Sequence, residues 1–213
     1  MKHILCLAIG LIIYSIHTDV QARPVSYPGG WTVMQMNNGK THSLHLHYSP
    51  AANYSIGYRT EYMRESEYVL NSLQTNILLK RWNAHASQAN LYSKSGAGFA
   101  SKRQGKNEDG LAVFTGIAAD WETRRLFTSY ENRGLLAGDI DQMFSQKARV
   151  GVAPYVADYG SIHTWFMLEV EHEPKSEDPI VVTPLVRLFT GSALIEAGIS
   201  SENDILFNAI YRF

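Results

Sequence analysis

Ile205-Leu206-Phe207-Asn208-Ala209-Ile210-Tyr211-Arg212-Phe213 is the stretch of this chain that decides the fold. Apolar or aromatic side chains occupy every second position from 205 to 213, which is the period of a β-strand. In water such a strand would leave a sticky apolar edge, and natural proteins avoid such edges. A strand of a transmembrane β-barrel requires the pattern, because one face meets lipid and the other faces the lumen. The stretch therefore predicts a strand of a membrane barrel.

The same alternation recurs along the rest of the chain, in runs separated by turn residues. Twelve runs cover residues 31–37, 41–49, 54–62, 70–82, 89–101, 111–122, 125–132, 144–155, 161–171, 180–189, 193–200 and 204–213. Asn37-Asn38-Gly39-Lys40, between the first two runs, is a strong signal for a tight hairpin. The sequence predicts an all-β fold, an antiparallel transmembrane β-barrel of 12 strands. Ten strands are the alternative if one of the weaker pairs of runs, at 31–37 or at 125–132, does not form.

The aromatic residues of the last run suggest where such a barrel resides. Phe213 and Tyr211 stand two positions apart, with Phe207 upstream on the same face. This pattern resembles the recognition signal of bacterial outer-membrane β-barrel proteins over about nine residues. The resemblance implies location in the outer membrane and contact with its lipid. It also implies recognition of the C-terminal strand by the barrel-assembly machinery, and transit with periplasmic chaperones.

The connections between the runs differ in length and charge. Those after the third, fifth, seventh, ninth and eleventh runs are mostly longer, and they include residues 102–110, 134–142 and 173–179. Those after the second, fourth, sixth, eighth and tenth runs are mostly shorter and plainer. Long outer loops and short periplasmic turns produce this alternation. We therefore expect the longer connections to be outer loops.

The N-terminus carries the pattern of a secretory signal peptide. Lys2 precedes an apolar run of about ten residues, which is too short to cross a bilayer as a helix. Val20-Gln21-Ala22 supplies a cleavage site, so we expect residues 1–22 to be removed and residues 23–213 to form a single barrel domain. Cys6, the one cysteine, falls in the removed part. Disulfides, thiolate catalysis and cysteine-based zinc sites are then excluded.

Composition excludes other classes of function. The net charge of −1 and the pI of about 6.7 give no basic surface for nucleic acid. No apolar stretch after residue 22 approaches 18 residues, so no transmembrane helix is expected. A soluble β-sandwich or a lipocalin-like barrel would also show alternation. Charges recur on the second face of nearly every run, which favours a polar lumen over a soluble core.

The predicted lumen face carries charges of both signs. Its eight basic and seven acidic residues suggest ion-pair ladders, because an unpaired charge in such an interior is costly. Lys147 and Arg149 are expected to lie within about 5 Å of acidic residues on the neighbouring strands. The predicted charge network comprises Arg59, Glu61, Lys80, Lys94, Glu122, Glu131, Arg133, Lys147, Arg149, Glu169, Glu171, Arg187, Glu196 and Arg212, and Asp120 shares their face. The network either fills and stiffens the lumen or lines a narrow path, and its balance disfavours a strongly ion-selective pore.

Two motifs have metal-ligand chemistry. His45 and His47 share one strand face about 7 Å apart, and Glu61 on the next strand is a candidate third ligand. Met34 and Met36 suggest a soft copper site, but we assign both methionines to the lipid-facing set. The histidine pair is therefore the metal candidate, with ordinary lumen side chains as the competing interpretation.

Catalytic constellations are weak. His163 with Ser161, or His42 with Ser43, could be combined as base and nucleophile, but no motif supports either pair. We expect no catalytic residues, no cofactor and no enzyme activity. The expected function is a narrow outer-membrane channel for small solutes or ions. A closed structural or accessory envelope barrel, with a metal as an option, is the alternative, and a lipid-modifying enzyme is a third class.

Overall fold

Twelve antiparallel strands make up the fold in the computed structural model, which describes residues 25–103, 107–158 and 160–213. The predicted signal peptide, with Cys6, lies outside the described residues. The strands are β1 (Gly30–Asn37), β2 (Thr41–Ala51), β3 (Tyr54–Met63), β4 (Tyr68–Asn83), β5 (Ser87–Lys102), β6 (Glu108–Thr123), β7 (Leu126–Ala137), β8 (Asp141–Val152), β9 (His163–His172), β10 (Ile180–Thr190), β11 (Ala193–Ile199) and β12 (Ile205–Arg212). Each corresponds to one predicted run, so the twelve-strand prediction is confirmed and the ten-strand alternative is wrong.

The sheet closes into a barrel because the first strand pairs with the last. Thr32 lies opposite Arg212 in this seam. The backbone N–H of Trp31 donates to the Phe213 carbonyl at 2.8 Å, and the Phe213 N–H donates to the Trp31 carbonyl at 3.1 Å. Every other strand pairs with its neighbour in sequence. Closure leaves no free sheet edge, which is what a sheet in lipid requires.

The first hairpin forms where the sequence signal predicts it. The side-chain oxygen of Asn38 accepts from the backbone N–H groups of Lys40 at 3.0 Å and Thr41 at 2.7 Å. These bonds fold the turn back on itself, as Asn side chains do in tight turns. The turn fixes the register of β1 against β2, in which Met34 lies opposite His45.

The two ends of the barrel carry different connections. The odd end has the connections after the odd-numbered strands, which are residues 38–40, 64–67, 103–107, 138–140, 173–179 and 200–204. The even end has the connections after the even-numbered strands, which are residues 52–53, 84–86, 124–125, 153–162 and 191–192, together with residues 25–29 before β1.

Two predicted connections need correction. The expected loop 134–142 is mostly strand, because β7 continues to Ala137 and β8 begins at Asp141. Gly138 makes the tight turn possible, since its φ of 55° suits glycine. Conversely, the connection 153–162 at the even end is the longest of the barrel. Loop length therefore does not separate the two ends as cleanly as predicted.

The outer surface of the strands is apolar. Leu73 is 64% exposed, Phe99 64% and Leu111 71%, values that a water-soluble β-protein would not tolerate around its whole circumference. Tyrosine and tryptophan occur near strand ends, as at Trp31 and Tyr211. Such an exterior suits lipid, with aromatic residues at the interfaces.

No helix among the described residues is long and apolar enough to cross a membrane.

Apolar clusters fill part of each barrel end from the inside. At the odd end, the wall from β3 to β8 carries a buried cluster that includes Tyr68, Leu70 and Leu135. Near the even end, Trp165 packs with Phe127 and Phe189, and Val25 packs against Tyr92 and Ala118. These clusters confine the polar interior to the middle of the barrel and to one side of the odd end.

Candidate functional site: the charged lumen

Thirteen of the fourteen predicted network residues point into the barrel. They are Arg59, Glu61, Lys94, Glu122, Glu131, Arg133, Lys147, Arg149, Glu169, Glu171, Arg187, Glu196 and Arg212. The alternation of each strand places them there, because successive side chains point to opposite faces. The fourteenth, Lys80, is a correction.

A β-bulge in β4 reverses the expected direction of Lys80. The register with β5 shifts between Leu78 and Lys80, so Lys80 lies opposite Leu91 and is exposed. The next residue, Arg81, faces inward instead, and its Nε donates to Asn90 Oδ1 at 2.7 Å. A bulge adds one residue to the strand, which moves every later side chain to the other face. Sequence alternation gave no signal for this shift, and Arg81 was missed for that reason.

The first charge cluster crosses the lumen between β3 and β7, which are four strands apart. Arg133 makes a bidentate contact to Glu61, with its Nη1 at 2.9 Å from Oε1 and its Nη2 at 2.7 Å from Oε2. Arg59 also donates to Glu61. The guanidinium of Arg133 lies 4.3 Å from the Phe114 ring centroid, an aromatic contact that sequence analysis missed. One carboxylate thus holds two guanidinium groups and ties opposite walls together.

The second cluster joins the strands from β8 to β12. Arg149 donates to Glu169 on β9, and its Nη1 reaches both oxygens of Glu196 on β11 at 3.1 Å. Arg187 Nε and Asn208 Nδ2 also donate to Glu196, each at 2.7 Å. Every oxygen of this buried carboxylate therefore has a cationic or amide partner, as a buried charge requires. Asn208 was not among the predicted site residues, although the alternation along β12 places its side chain on the lumen face.

Two lysines form further ion pairs in the lumen. Lys147 Nζ lies 3.4 Å from Glu169 and 3.3 Å from Glu171, between the two acidic groups of β9. Lys94 Nζ lies 2.7 Å from Glu131, although β6 stands between their strands. The intervening strand presents Gly116 opposite Lys94, so no side chain at that position separates the two charges.

Two of the cavities within the barrel have wall residues in common. A cavity of about 300 Å³ at the odd end and a cavity of about 240 Å³ in the middle share Asn38 and Leu206 in their walls. The charged residues around the odd-end cavity are acidic in seven cases, Glu65, Glu169, Glu171, Glu177, Asp178, Glu202 and Asp204, against Lys40 and Arg64. Around the central cavity, cations predominate: Arg59, Lys94, Lys147, Arg149 and Arg187 face Asp120, Glu131 and Glu196. The lumen as a whole has nearly balanced charge, but its odd-end cavity is mainly acidic and its central cavity is mainly basic.

The β9–β10 loop, residues 173–179, lies across the odd end as a lid. It begins between β9 and β10 and reaches Glu65, in the connection on the opposite side of the barrel. There Ser176 Oγ donates to Glu65 at 2.9 Å and the Glu177 N–H donates to Glu65 at 3.0 Å. Lys40 Nζ contacts Ser176 Oγ at 2.8 Å and Glu173 at 3.5 Å. The lid is therefore held at its tip by polar contacts and carries no apolar anchor among them.

Glu173 lies at the base of the lid, in surroundings that disfavour its charged form. Burial raises the pKa of the Glu173 carboxyl above its ordinary value, and the nearby carboxylates of Glu171 and Glu65 add to that rise. The Lys40 ammonium opposes it. A proton therefore binds to Glu173 in this structure more tightly than it binds to a solvent-exposed glutamate.

The two predicted metal residues lie on the lumen face as the alternation predicts, but the candidate third ligand does not join them. His45 and His47 do face the lumen and are buried, with ring centroids 5.7 Å apart. Glu61 lies opposite Ser43, and Arg59 and Arg133 occupy its oxygens, so it is not a third ligand. Among the described residues, no group of three or more His, Cys, Asp or Glu side chains could hold a metal ion.

The assignment of the methionines to lipid is wrong. Met34 and Met36 both line the central cavity, while Trp31, on the other face of β1, is exposed outward. Even-numbered positions of β1 face inward, as buried Thr32 shows. Alternation alone should have placed the methionines with the histidines.

The two constellations considered for catalysis do not assemble. His42 stacks on Tyr62, with ring centroids 6.5 Å apart, while its neighbour Ser43 is buried on the other face of β2. His163 stacks on Phe189 with ring centroids 4.5 Å apart, and Ser161 is exposed in the preceding connection. Neither histidine contacts a serine hydroxyl, which a base needs to activate it.

Comparison with known proteins identifies the architecture. No family model matches the sequence and no curated protein sequence matches it. A KdgM porin in complex with disordered oligogalacturonate matches the structure with a TM-score of 0.51 at 9% identity, over 86% of this chain and 98% of that chain. The chain has the fold of a bacterial outer-membrane β-barrel. Its apolar exterior is the surface that such a barrel presents to outer-membrane lipid.

Two further structures are similar to a lower degree. Another KdgM porin structure has a TM-score of 0.48 at 10% identity, over 86% of this chain and 98% of that chain. The translocator domain of the autotransporter NalP from Neisseria meningitidis has a TM-score of 0.40 at 10% identity, over 86% of this chain and 85% of that chain.

Proposed function

We propose that this chain is a non-enzymatic, narrow channel for small solutes or ions in the bacterial outer membrane. One observation carries the proposal: the odd-end cavity and the central cavity adjoin at Asn38 and Leu206. Their common wall residues support a polar path from one mouth into the charged centre. A barrel whose interior served only for stability would gain more from continuous packing. The porin-type fold agrees with a channel.

Two features restrict passage. At the odd end, the lid reaches Glu65 across the mouth. Near the even end, the apolar cluster around Trp165 and Phe127 narrows the space in the lumen, and Val25 packs against β5 and β6 beside it. Apolar constrictions exclude hydrated solutes by dewetting. We therefore expect a small conductance that depends on movement of the lid.

Planar-bilayer conductance of the refolded protein tests the proposal. The double variant Glu65→Cys/Ser176→Cys places one thiol on the lid tip and one on the opposite connection, at two positions whose parent side chains are in contact. A short, reducible cross-linker that reacts with two thiols can join them. With the cross-link in place we expect silence, and after its reduction we expect step-like openings. The single variant Ser176→Cys is the control and should conduct under both conditions.

A further variant separates a closed lid from the absence of a channel. Glu65→Ala removes the acceptor for both lid-tip contacts and should raise the frequency of openings. Persistent silence of correctly folded wild type and of Glu65→Ala would overturn the channel. It would favour the closed structural barrel, the second candidate, which the lid contacts across the mouth support.

We also propose that the barrel-assembly machinery and periplasmic chaperones are partners of this chain. Three exposed aromatic side chains lie at the closing strand: Phe207 and Tyr211 belong to β12, and Phe213 follows it. The Tyr211 and Phe213 rings are stacked, with their centroids 6.0 Å apart. Their accessibility supports recognition by the barrel-assembly machinery after delivery by periplasmic chaperones. Phe213→Asp should leave secretion intact and reduce the amount of heat-modifiable barrel in the membrane, and unchanged insertion would contradict this recognition.

A further inference from the structure

Several ion pairs of the lumen lie across the boundary between the odd-end cavity and the central cavity. Glu169 and Glu171 line the odd-end cavity, whereas Lys147 and Arg149 line the central cavity. Lys147 Nζ lies 3.4 Å from Glu169 and 3.3 Å from Glu171, and Arg149 also donates to Glu169. These pairs cancel in the total charge of the lumen. Each pair nevertheless presents its negative member to one cavity and its positive member to the other.

The odd-end cavity also carries acidic groups that no cation contacts. Glu177, Asp178 and Glu202, the rim acids, line this cavity and are exposed. None of the ion pairs in the part of the chain that the structure describes includes a rim acid. The two cations on the same wall, Lys40 and Arg64, contact other carboxylates. The wall of the odd-end cavity is therefore negative.

The central cavity has a cation in excess. Arg59 lines it and shares the Glu61 carboxylate with Arg133, so that two guanidinium groups have one acid between them. The other partner of Arg59 is the neutral Gln74, whose Oε1 accepts from Nη1 at 3.1 Å. The lysine and the arginine of the boundary pairs add their charges to the same wall. The wall of the central cavity is therefore positive.

A charged wall collects mobile ions of the opposite sign when the space is narrow. The screening length is about 8 Å at 0.15 M salt, and a compact cavity of about 300 Å³ is about as wide as that. Low-dielectric walls of one sign focus the field and raise the local concentration of counter-ions. We therefore expect mobile cations in the odd-end cavity and mobile anions in the central cavity.

Two such zones in series respond differently to voltages of opposite sign. When the odd side is positive, the cations of the first zone and the anions of the second both move toward the boundary between the zones. Ions then accumulate at the boundary, and the conductance is high. When the odd side is negative, both kinds of ion move away from the boundary. The boundary is then depleted of ions, and the conductance is low.

We infer that the lumen is a rectifying ion path, which passes more current when the odd side is positive than when it is negative. The inference rests on the proposed channel and adds a direction to it. Separation of the two signs along the path is what carries it, because a lumen with the same charges mixed evenly would have no preferred direction.

Unitary currents of the refolded protein in a planar bilayer test the inference. The current through a single open channel is compared at equal voltages of opposite sign, so that opening and closing of the lid do not enter the comparison. In 0.15 M KCl we expect wild type to pass roughly twofold more current or above in the favoured direction.

The orientation of each channel is read from Ser176→Cys. A cationic, impermeant thiol reagent added to one chamber alters the current only if the lid faces that chamber. The favoured direction should be the one in which the reactive side is positive. A favoured direction with the reactive side negative would overturn the inference.

Neutralisation of the rim acids tests the negative zone. Glu177→Gln/Asp178→Asn/Glu202→Gln should bring the ratio of the two currents close to 1, and the reversal potential in a KCl gradient should move toward that of chloride. The matched control, Glu67→Gln/Asp109→Asn/Asp158→Asn, removes three exposed acids that line neither cavity and should keep the wild-type ratio. All six positions are exposed, and heat-modifiable migration on a gel reports whether each variant is folded.

Salt supplies a test on wild type alone. In 1 M KCl the screening length falls to about 3 Å, so the ratio of the two currents should approach 1. Step-like openings with equal currents in 0.15 M KCl would overturn the inference and leave the channel standing. A ratio that survives neutralisation of the rim acids would do the same. Silence of folded wild type and of Glu65→Ala would overturn the channel itself, and the rectifying path with it.

Discussion

At the residue scale, the lumen depends on a few shared carboxylates. Glu61 serves two arginines from different walls, and Glu196 serves two arginines and an asparagine. Such sharing makes the contribution of each acid strongly non-additive, because its removal leaves several cations without their partner. Ion pairs that are more exposed within the lumen should contribute far less to the stability of the barrel.

Glu61→Gln should destabilise the barrel by about 3–5 kcal/mol, because it leaves Arg59 and Arg133 facing each other in the interior. Glu131→Gln is the matched comparison, since the Glu131 side chain is 38% exposed and that of Glu61 is 1% exposed. Its cost should stay below about 1 kcal/mol. Urea unfolding of both refolded variants measures the difference, and equal costs would show that the network does not carry stability.

Gly57→Ala should destabilise the β2–β3 pair by roughly 1–3 kcal/mol, because the new methyl group meets the His47 ring and the Leu46 carbonyl. Gly134→Ala is the control, since the nearest atom to its new Cβ, the Thr115 carbonyl oxygen, is 3.9 Å away. The control should change stability by less than about 1 kcal/mol. Unfolding curves that do not distinguish the two variants would contradict close packing at His47.

At the element scale, the lid is attached less firmly than the strands around it. Its tip contacts are polar and part of them is exposed, whereas the strands around it are joined by continuous ladders. Segments held by few polar contacts open at lower free energy than packed strands. Changes in protonation at the lid base should therefore affect conduction before they affect the barrel.

Acidification should close the lid. The pKa of Glu173 is raised in the closed arrangement, so that arrangement binds the proton more tightly than an open lid with an ordinary carboxyl. Closure is therefore favoured as the pH falls through the raised pKa, and this gain is lost as the pH rises above it. Open probability in planar bilayers should fall over that window in wild type.

Glu173→Gln should remove this pH dependence, because an amide does not titrate. Arg103→Ala, which breaks an exposed ion pair with Asp109 away from the lid, should keep the wild-type pH profile. A Glu173→Gln profile that matches wild type would show that another group senses the pH.

At the scale of the whole molecule, the apolar exterior of the barrel is suited to a lipid bilayer. Large apolar side chains are exposed on strands all around the circumference, whereas most of the strand charges lie inside, with Lys80 as an exception. A closed sheet satisfies its backbone hydrogen bonds without water, and the bilayer then covers the apolar side chains. The depth of a residue in the bilayer should control the cost of an outward charge.

Val186→Arg should cost about 2–4 kcal/mol, because Val186 is outward-facing in the middle of β10. Ile180→Arg, at the first residue of the same strand, should cost only about 0–1 kcal/mol. Unfolding from lipid vesicles in guanidinium chloride measures both. If the two costs were equal, β10 would not cross the bilayer in the orientation described.

The sequence by itself determined what depends on local pattern. Period-two alternation and turn residues predicted all twelve strands and the inward direction of thirteen charges. The same alternation also indicates that Met34 and Met36 face inward, although we assigned them to the lipid-facing set from the sequence. Each of these properties follows from one strand and its own side-chain period.

Tertiary structure alone decided what depends on residues far apart in the chain. The bulge that turns Lys80 outward, the contact of Arg133 with Glu61 across the lumen, and the reach of the lid to Glu65 belong to this group. Their physical reason is closure: a barrel brings strands together that are remote in sequence. Which charges then meet depends on the register, and a single extra residue in one strand changes it.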